Sequence, residues 1–384
     1  MPPQSEDILP FKPHIHIREV ERLHTKLRDV RIPQSDILPD TENSYGIPTK
    51  WAKHLYEYWL HKFSWSAAEG RISQFNHFTT EIENLKIHFI HQKSTTTTGT
   101  REKIPILLIH GWPGSFYEFS EVIKPLNEAG FDCVVPSLPG FCWSDAPKRK
   151  GWTVRDTARV FDRLMHEKLG YEKYVVQAGD WGAMVARELG ARFEERCRVM
   201  HLNWCPGALP EGEMTEREMK CKEKGENWRT EHVGYAVLMR TRPQSLGWML
   251  EDNPVGLMTF VGEKYHEASN PSSHYSPHWL DHILATVSLY YFTRCIATSA
   301  LIYYENPRHD QFASYCIAEE NLIKCPFGYT SMWFDTAPNS KRAVERTGNL
   351  VWYRERDEAG HFACLEDPKG MVEDVKEVVG KFWS

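Results

Sequence analysis

Apolar residues near the start of the chain recur every three or four positions, which is the spacing of an amphipathic helix. They are Ile17, Val20, Leu23, Leu27 and Val30. This spacing predicts a helix over residues 16–30, which Pro33 then stops. A second predicted helix, over residues 51–63, carries a stripe of aromatic residues. We interpret this stripe as core packing, because aromatic side chains bury large apolar areas.

Strand-like runs begin near Phe78 and then alternate with helical ones. The predicted strands are 87–91, 104–109, 132–136, 174–177 and 198–203, and helices are predicted over 154–168 and after Gly182. Such alternation predicts a parallel sheet with crossover helices. The strand pattern stops at Pro206 and resumes only at residues 329–334 and 350–353, and a last helix is predicted near 371–382.

The order of these elements predicts one α/β sheet that is interrupted by a long helical insert. We expect an N-terminal region, 1–85, that wraps the core, and a first part of the core over 86–206. We expect a helical lid over 207–320 and a second part of the core over 321–384.

Composition narrows the class of protein but does not identify a chemistry. The chain has 384 residues and a net charge of −6, and it has no basic cluster that would favour nucleic acid or anionic membrane. Nine cysteines without a CxxC pair indicate reduced thiols. The sequence begins without a signal-peptide pattern and lacks a run of about 20 apolar residues. We therefore expect a soluble cytoplasmic protein without a membrane anchor.

The most specific chemistry lies in the segment Val175-Val176-Gln177-Ala178-Gly179-Asp180-Trp181-Gly182-Ala183. A β-branched run ends in a tight turn, Ala178 and Gly182 flank Asp180, and a helix follows. This pattern is typical of the strand-to-helix elbow that carries the nucleophile in α/β-hydrolases. A carboxylate there can attack saturated carbon and form an alkyl ester, which indicates epoxides or haloalkanes as substrates. The alternative is a buried strand followed by a turn with a capping aspartate.

The α/β-hydrolase chain order is nucleophile, acid and histidine, so the base is expected near the C-terminus. His361 follows the last predicted strand in a turn of small residues. Asp335 directly follows the strand 329–334 and is the predicted acid. Asp357 and Glu358 are rivals, but a group beside the histidine on the same loop is less well placed to orient it.

The turn His110-Gly111-Trp112-Pro113-Gly114 follows the predicted strand 104–109. Its backbone is expected to supply one donor of an oxyanion hole, and the amide after the nucleophile is expected to supply the other. These donors are the N–H groups of Trp112 and Trp181. We interpret His110 as a structural hydrogen-bonding residue.

These motifs resemble those of epoxide hydrolases of the microsomal type, including their soluble fungal relatives. The resemblance runs through nearly the whole chain. Its motifs are Leu9-Pro10-Phe11-Lys12-Pro13, Phe78-Thr79-Thr80, His110 to Phe119, Ala178 to Gly182, Asn253 to Leu257, Glu263-Lys264 and Gly360 to Ala363. It implies the α/β-hydrolase fold, hydrolysis of an epoxide to a vicinal diol, and no metal or organic cofactor.

The resemblance also implies that two lid tyrosines donate hydrogen bonds to the epoxide oxygen. Tyr235 falls in the first tyrosine context of the family, and Tyr303, in preference to its neighbour Tyr304, falls in the second. The chain departs from the mammalian members at Asp335, where they carry glutamate, and we expect no N-terminal membrane anchor before the shared region.

Two alternative functions use the same residues. A haloalkane dehalogenase shares the Asp-Trp-Gly elbow but needs no proton donor, so the tyrosine contexts favour an epoxide. A hydrolase-like binding protein would keep the cavity without turnover. Lid aromatics favour an apolar or aryl substrate and are Trp248, Phe260, Tyr290, Tyr291 and Phe292. The family resemblance makes a homodimer a further expectation.

Overall fold

The computed structural model describes residues 8–41, 43–95 and 103–383. The first seven residues of the predicted N-terminal region therefore lie outside the described part of the chain. The strands are β1 (Ile8–Phe11), β2 (His77–Ile82), β3 (Leu85–Gln92), β4 (Ile104–Ile109), β5 (Phe131–Pro136), β6 (Tyr174–Ala178), β7 (Cys197–Leu202), β8 (Ile323–Phe334) and β9 (Gly348–Gly360).

All of these strands belong to one sheet in the order β1-β2-β3-β5-β4-β6-β7-β8-β9. The strands from β5 to β9 in this order pair in parallel, whereas β1, β2 and β3 add an antiparallel flank. Parallel neighbours need crossover connections, which the intervening helices provide. The predicted, mostly parallel sheet is confirmed, and the N-terminal strands extend it at one edge.

Helices cover both faces of the sheet and form the long insert between β7 and β8. They are α1 (Ile17–Arg28), α2 (Thr49–His61), α3 (Trp65–Ile72), α4 (Ser120–Glu128), α5 (Val154–Arg163), α6 (Asp180–Arg192), α7 (Glu216–Asn227), α8 (Gly234–Thr241), α9 (Pro243–Leu250), α10 (Pro254–Glu267), α11 (Pro277–Thr293), α12 (Ile296–Ser299), α13 (Leu301–Tyr304), α14 (Phe312–Ile317), α15 (Lys341–Val344), α16 (Ala363–Glu366) and α17 (Pro368–Phe382). Single π-helical turns extend α5 and α7.

The central strands are buried on both faces, because helices cover both sides of a parallel sheet. All six residues of β5 and all five of β6 are buried. This burial explains why continuous apolar runs revealed these strands in the sequence. The ends of β4, β6, β8 and β9 carry the turns that hold the predicted nucleophile, acid, histidine and oxyanion-hole residues, since parallel strands present their carboxyl ends at one edge of the sheet.

The N-terminal helices pack against the insert. Arg22 of α1 binds Asp252 with two hydrogen bonds, of 2.5 and 2.6 Å. The indole N–H of Trp51, a buried residue of α2, donates to the carbonyl of His274 over 3.0 Å. The aromatic stripe of α2 is thus packing, as predicted. In the described part of the chain, no helix is both long and apolar enough to span a membrane.

Three strands differ from their predictions. The strand β8 begins at Ile323, before the predicted start at residue 329, because Lys324 and Pro326 interrupt its apolar pattern. The strand β1 was not predicted, because its four residues are only partly buried and include Pro10. The strand β9 extends to Gly360, well beyond the predicted end at residue 353. Its added half is charged, and Arg354 and Arg356 are bound by Asp374 of α17. Ion pairs with the last helix therefore stabilise a strand that lacks an apolar pattern.

Candidate active site

Asp180 lies in the sharp turn between β6 and α6 and has a backbone φ of +49°. This left-handed conformation is uncommon for a residue with a side chain and occurs where the surrounding structure enforces it. Gly182 is required for close packing, because a Cβ atom there would lie 2.1 Å from the carbonyl oxygen of Ile109. The small residue predicted after the nucleophile is explained by this contact between α6 and the end of β4.

The carboxylate of Asp180 is held by the turn that follows β4. Its Oδ1 atom accepts a hydrogen bond of 2.8 Å from the backbone N–H of Trp112. A Cβ atom at Gly111 would lie 2.1 Å from the same oxygen, so only glycine leaves room for the carboxylate. Trp181 directly follows Asp180 in the first turn of α6, where a helix leaves its backbone N–H groups without intrahelical partners.

His361 and Asp335 come together at the ends of β9 and β8. Nδ1 of His361 lies 2.7 Å from Oδ1 of Asp335, and Nε2 lies 3.5 Å from Oδ2 of Asp180. The backbone N–H of His361 donates to the carbonyl of Ala268, at the end of the lid helix α10, over 2.8 Å. The imidazole can therefore exchange a proton with a group bound at Asp180 while Asp335 holds its other nitrogen.

Charge around His361 favours its protonated form. Burial alone would lower its pKa, but the carboxylates of Asp335 and Asp180 raise the pKa well above the usual value. A third carboxyl group, that of Glu118, lies nearby in the segment after β4. Burial, supplemented by the charge of Asp180, raises the pKa of Glu118 to about 8. Glu118 therefore favours its neutral form near neutral pH, which limits the number of negative charges around Asp180.

His110 is fully buried and organises the turn that carries Trp112. Its Nε2 atom accepts a hydrogen bond from the N–H of Leu138 at 3.1 Å, so Nδ1 carries the proton and donates to the carbonyl of Gly111 at 2.9 Å. Burial lowers the pKa of His110 to about 4. Both nitrogens are occupied by backbone groups, in keeping with the structural interpretation of this residue.

The predicted tyrosines lie together against Trp112 and Trp181, the two residues that adjoin the carboxylate of Asp180. Tyr235, from α8, stacks on Trp112 with ring centroids 5.1 Å apart, and its ring is 5.9 Å from that of Tyr303. Tyr303 meets Trp181 edge-on at 5.0 Å. Tyr303 is 2% exposed, whereas Tyr304 is 52% exposed, so Tyr303 and not Tyr304 faces the site.

The hydroxyl groups of both tyrosines are kept protonated. Burial raises the pKa of Tyr235 and of Tyr303, and the charge of Asp180 adds to the effect. The Tyr303 hydroxyl is buried beside Tyr235 and Trp181, both of which influence its pKa as hydrogen-bond partners, but no contact among the described residues meets strict hydrogen-bond geometry. A buried donor without a well-formed hydrogen bond is rare in proteins, so this hydroxyl is a candidate donor to a bound substrate.

A cavity of about 500 Å³ lies between the sheet and the lid. Its inner wall includes Asp180, His361, Trp112, Trp181 and Tyr235. The outer wall is formed by residues 206–212, by α7 and by residues 336–340, and it contains both charged and apolar side chains. The volume is sufficient for a small organic molecule.

None of the five lid aromatics noted in the sequence lines this cavity. Trp248 is 86% exposed, and the Tyr290 hydroxyl donates to the carbonyl of Gly114 over 2.9 Å. Tyr291 accepts a hydrogen bond from Arg22, and Phe292 packs on Trp65. Phe260 packs on Trp112 with ring centroids 5.6 Å apart, so it supports the cavity wall without lining it.

Two polar residues that line the cavity and contact a lid tyrosine were not assigned a role from the sequence. The ring of His309 stacks on that of Tyr303 at 5.9 Å, and burial lowers the pKa of His309 to about 4. Lys264 of α10 also lines the cavity. His309 stands in a polar stretch without a motif, so the sequence offered no signal for it. Lys264 was visible only as part of the lid resemblance.

The described residues contain no group of three or more His, Cys, Asp or Glu side chains that could hold a metal ion. All nine cysteines lie in the described part of the chain and are buried free thiols. The Sγ atom of Cys364 contacts Oε1 of Gln177 behind the site at 3.9 Å. We assign no catalytic function to the cysteines.

The sheet, the elbow and the insert define an α/β-hydrolase, and comparison with known proteins agrees. Residues 104–206 match the model of the alpha/beta hydrolase fold, and residues 8–119 match that of the epoxide hydrolase N terminus. The chain is 30% identical to epoxide hydrolase 1 of Oryctolagus cuniculus over 98% of its own length and 90% of the relative's. It is 30% identical to juvenile hormone epoxide hydrolase 1 of Ctenocephalides felis, over 99% and 88% of the two chains.

A solved structure supports the same assignment. The epoxide hydrolase of Aspergillus niger superposes with a TM-score of 0.87 at 32% identity, over 100% of this chain and 97% of that chain. The protein therefore belongs to the epoxide hydrolase family, as the sequence motifs indicated. It is an enzyme of the hydrolase class.

Proposed function

We propose that the protein converts a small-molecule epoxide into a vicinal diol through an ester of Asp180. The observation that carries this proposal is that the Asp180 carboxylate has a histidine on one side and is flanked by Trp112 and Trp181, which contact two lid tyrosines. Nε2 of His361 is 3.5 Å from Oδ2 of Asp180, and Tyr235 and Tyr303 lie above Trp112 and Trp181. A halide leaving group would need no such proton donors.

In the first step, a carboxylate oxygen of Asp180 attacks the less hindered or benzylic carbon of the epoxide. The bond between that carbon and the ring oxygen breaks as an ester bond forms. Tyr235 and Tyr303 donate hydrogen bonds to the ring oxygen, and one of them gives up its proton to it. Only residues of this chain take part in the step.

In the second step, His361 removes a proton from water while Asp335 holds the imidazole. The resulting hydroxide attacks the carboxyl carbon of Asp180, and the N–H groups of Trp112 and Trp181 stabilise the tetrahedral oxyanion. The ester bond breaks, and His361 protonates the departing diol oxygen. The remaining proton of the water restores the tyrosine hydroxyl, so the overall reaction adds one water to the epoxide.

In this mechanism the oxygen of the attacking water first becomes part of the Asp180 carboxylate and reaches the diol only in a later turnover. A single turnover in ¹⁸O-labelled water is therefore expected to give unlabelled diol and to place the label on Asp180. Asp180→Asn is expected to abolish steady turnover, and His361→Gln is expected to trap the ester, which mass spectrometry detects. Labelled diol in the first turnover would overturn the covalent mechanism.

The choice of substrate class is tested by assaying epoxides and haloalkanes in parallel. Diol without halide release is the expected result, whereas halide release alone would make the protein a dehalogenase. Ligand binding without product in a single turnover would instead make it a binding protein. Variant Asp180→Asn serves as the matched inactive control in each assay.

Four finer assignments rest on the sequence and remain predictions. They are an apolar or aryl epoxide, a homodimer, a cytoplasmic location and the division into regions 1–85, 86–206, 207–320 and 321–384. The location agrees with nine buried free thiols, since reduced cysteines are usual in the cytosol. The substrate class is supported by Trp112, Trp181 and Phe312 in the inner cavity wall.

A further inference from the structure

Lys264 of the lid helix α10 occupies an unusual position for a lysine. Its side chain is 5% exposed, and it belongs to the wall of the active-site cavity. Lysine is almost never buried to this degree unless its charge is paired, because removal of an ammonium group from water is costly. The partners of Lys264 therefore indicate what the charge does there.

Two carboxylates of the same helix hold the ammonium group. Nζ of Lys264 lies 2.5 Å from Oε2 of Glu267 and 2.8 Å from Oε1 of Glu263. Glu267 is also bound by Nδ1 of His232 at 2.9 Å, and Glu263 accepts a hydrogen bond from the N–H of Ile47 at 3.2 Å. Both carboxylates are thus fixed, and the lysine is held in one position between them.

The same ammonium group lies over an aromatic ring of the active site. Nζ is 4.6 Å from the centroid of the Tyr235 ring and 5.2 Å from that of Trp228. A cation at this distance is attracted by the electrons of the ring face, and more strongly where water is excluded. Because Tyr235 also stacks on Trp112, its ring is held between aromatic and cationic neighbours.

We propose that Lys264 is a positioning residue that fixes Tyr235 and strengthens its hydroxyl as a hydrogen-bond donor to the epoxide oxygen. A positive charge over a phenol ring stabilises the negative charge that develops on the phenol oxygen as its proton moves toward the epoxide oxygen. The inference rests on the proposed function, since it assumes that Tyr235 assists ring opening.

Removal of the lysine would also leave two negative charges uncompensated beside the phenol. Burial raises the pKa of Tyr235 most, and the charges of Asp180, Glu267 and Glu263 raise it further. Without the ammonium group, the carboxylates of Glu263 and Glu267 would oppose the development of negative charge on the Tyr235 oxygen. Ester hydrolysis depends on His361 and Asp335, which do not contact Lys264, so only the first step is expected to suffer.

The test separates the two steps in the full-length enzyme. Rapid mixing of Lys264→Met with styrene oxide is expected to show ester formation slowed by about tenfold or more. The rate of ester hydrolysis is expected to stay within about twofold of the wild-type value. The epoxide concentration that half-saturates the rate of ester formation, measured by rapid mixing, is also expected to stay within about twofold. Lys264→Arg retains the cation and is expected to recover most of the lost rate. Lys220→Met is the matched control, since Lys220 is an exposed lid lysine that pairs with Glu216.

A double-mutant cycle distinguishes this role from a general structural one. In the background of Tyr235→Phe, which keeps the ring but lacks the hydroxyl, Lys264→Met is expected to add less than about a twofold loss in ester formation. An equal loss in both backgrounds, or no loss in either, would overturn the inference. If Lys264→Met does not fold, Lys264→Met combined with Glu267→Gln removes one charge of each sign and is compared with Glu267→Gln alone.

Failure of the inference and failure of the proposed function give different results. If the wild-type enzyme forms no diol or ester from any epoxide, the proposed function is wrong. If the wild type turns over and Tyr235→Phe slows ester formation, while Lys264→Met does not, only the role of Lys264 is wrong.

Discussion

Nδ1 of His361 lies 2.7 Å from Oδ1 of Asp335, and this contact joins the ends of two neighbouring strands. The N–H of Thr336 also donates to Oδ1 of Asp335, at 2.6 Å, which fixes the carboxylate. The arrangement leaves Nε2 of His361 free to face Asp180. It connects the orientation of the base to the pairing of β8 with β9.

Asp335→Asn is expected to slow ester hydrolysis by about 10²- to 10⁴-fold, because an amide can stabilise the wrong imidazole tautomer. The ester of Asp180 should then accumulate and be visible by mass spectrometry of the quenched enzyme. Asp335→Glu is the matched variant, since it retains the carboxylate, and it is expected to keep diol formation within about tenfold. Equal hydrolysis rates in Asp335→Asn and the wild type would show that another group orients His361.

The pKa of His361 is expected to change when Asp180 becomes an ester. In the free enzyme the carboxylates of Asp335 and Asp180 raise the pKa of His361 above its usual value, despite burial. Esterification removes the charge of Asp180, so the pKa of His361 falls and its neutral, basic form becomes more populated when a base is needed. Titration of His361 by NMR is expected to give a lower pKa in Asp180→Asn than in the wild type.

The same shift has a consequence for stability. A group with a raised pKa in the folded state stabilises the protein fully below its unfolded pKa, about 6.5 for histidine, and this contribution is lost as pH rises through the folded value. The contribution of His361 to the free energy of unfolding at acidic pH should therefore be smaller in Asp180→Asn than in the wild type. A pKa for His361 that is equal in both proteins would contradict the electrostatic coupling.

Tyr235→Phe and Tyr303→Phe are each expected to slow ester formation by about 10- to 100-fold, since each removes one of two hydrogen-bond donors. Ester hydrolysis should be unaffected in both variants. Tyr304→Phe is the matched control, because the neighbouring tyrosine is 52% exposed. Stopped-flow quenching of tryptophan fluorescence reports ester formation, since Trp112 and Trp181 adjoin Asp180. Unchanged rates in both lid variants would remove the tyrosines from the mechanism.

Several elements could be predicted from the sequence because the information is local. Ile104–Ile109 is a continuous apolar run, and the structure gives β4 the predicted bounds. The elbow at Asp180 was recognisable because packing of α6 against β4 requires a small residue at position 182. The order of nucleophile, acid and histidine then restricted the search to turns after strands. Local pattern and chain order were sufficient for this part of the site.

Features that depend on distant contacts were not predicted. The charged half of β9 is stabilised by Asp374, which follows it in the chain on α17, and no local pattern reveals that pairing. The exposure of Trp248 depends on how α9 packs in the lid, so the sequence could not distinguish it from a cavity residue. The contact between Lys264 and Tyr235 likewise depends on the packing of α10 against α8.

Gly111 is expected to be essential for the position of the nucleophile. A Cβ atom at this residue would lie 2.1 Å from Oδ1 and 2.5 Å from Cβ of Asp180, so Gly111→Ala must displace the carboxylate. Because Asp180 is already held in a left-handed backbone conformation, its side chain has little freedom to move away. We expect ester formation to fall by about 10²-fold or more, since small misplacements of a reacting group cost this much.

The matched control for this substitution is Gly380→Ala in the last helix. No heavy atom lies within 4 Å of a Cβ atom built at Gly380, and alanine favours helices by about 0.5–1 kcal/mol over glycine. This variant should keep full activity and melt at a slightly higher temperature. Gly111→Ala should retain the circular dichroism spectrum of the wild type but lose ester formation. A fully active Gly111→Ala variant would mean that the turn after β4 can move, and the amide of Trp112 would then not be a fixed donor to Asp180.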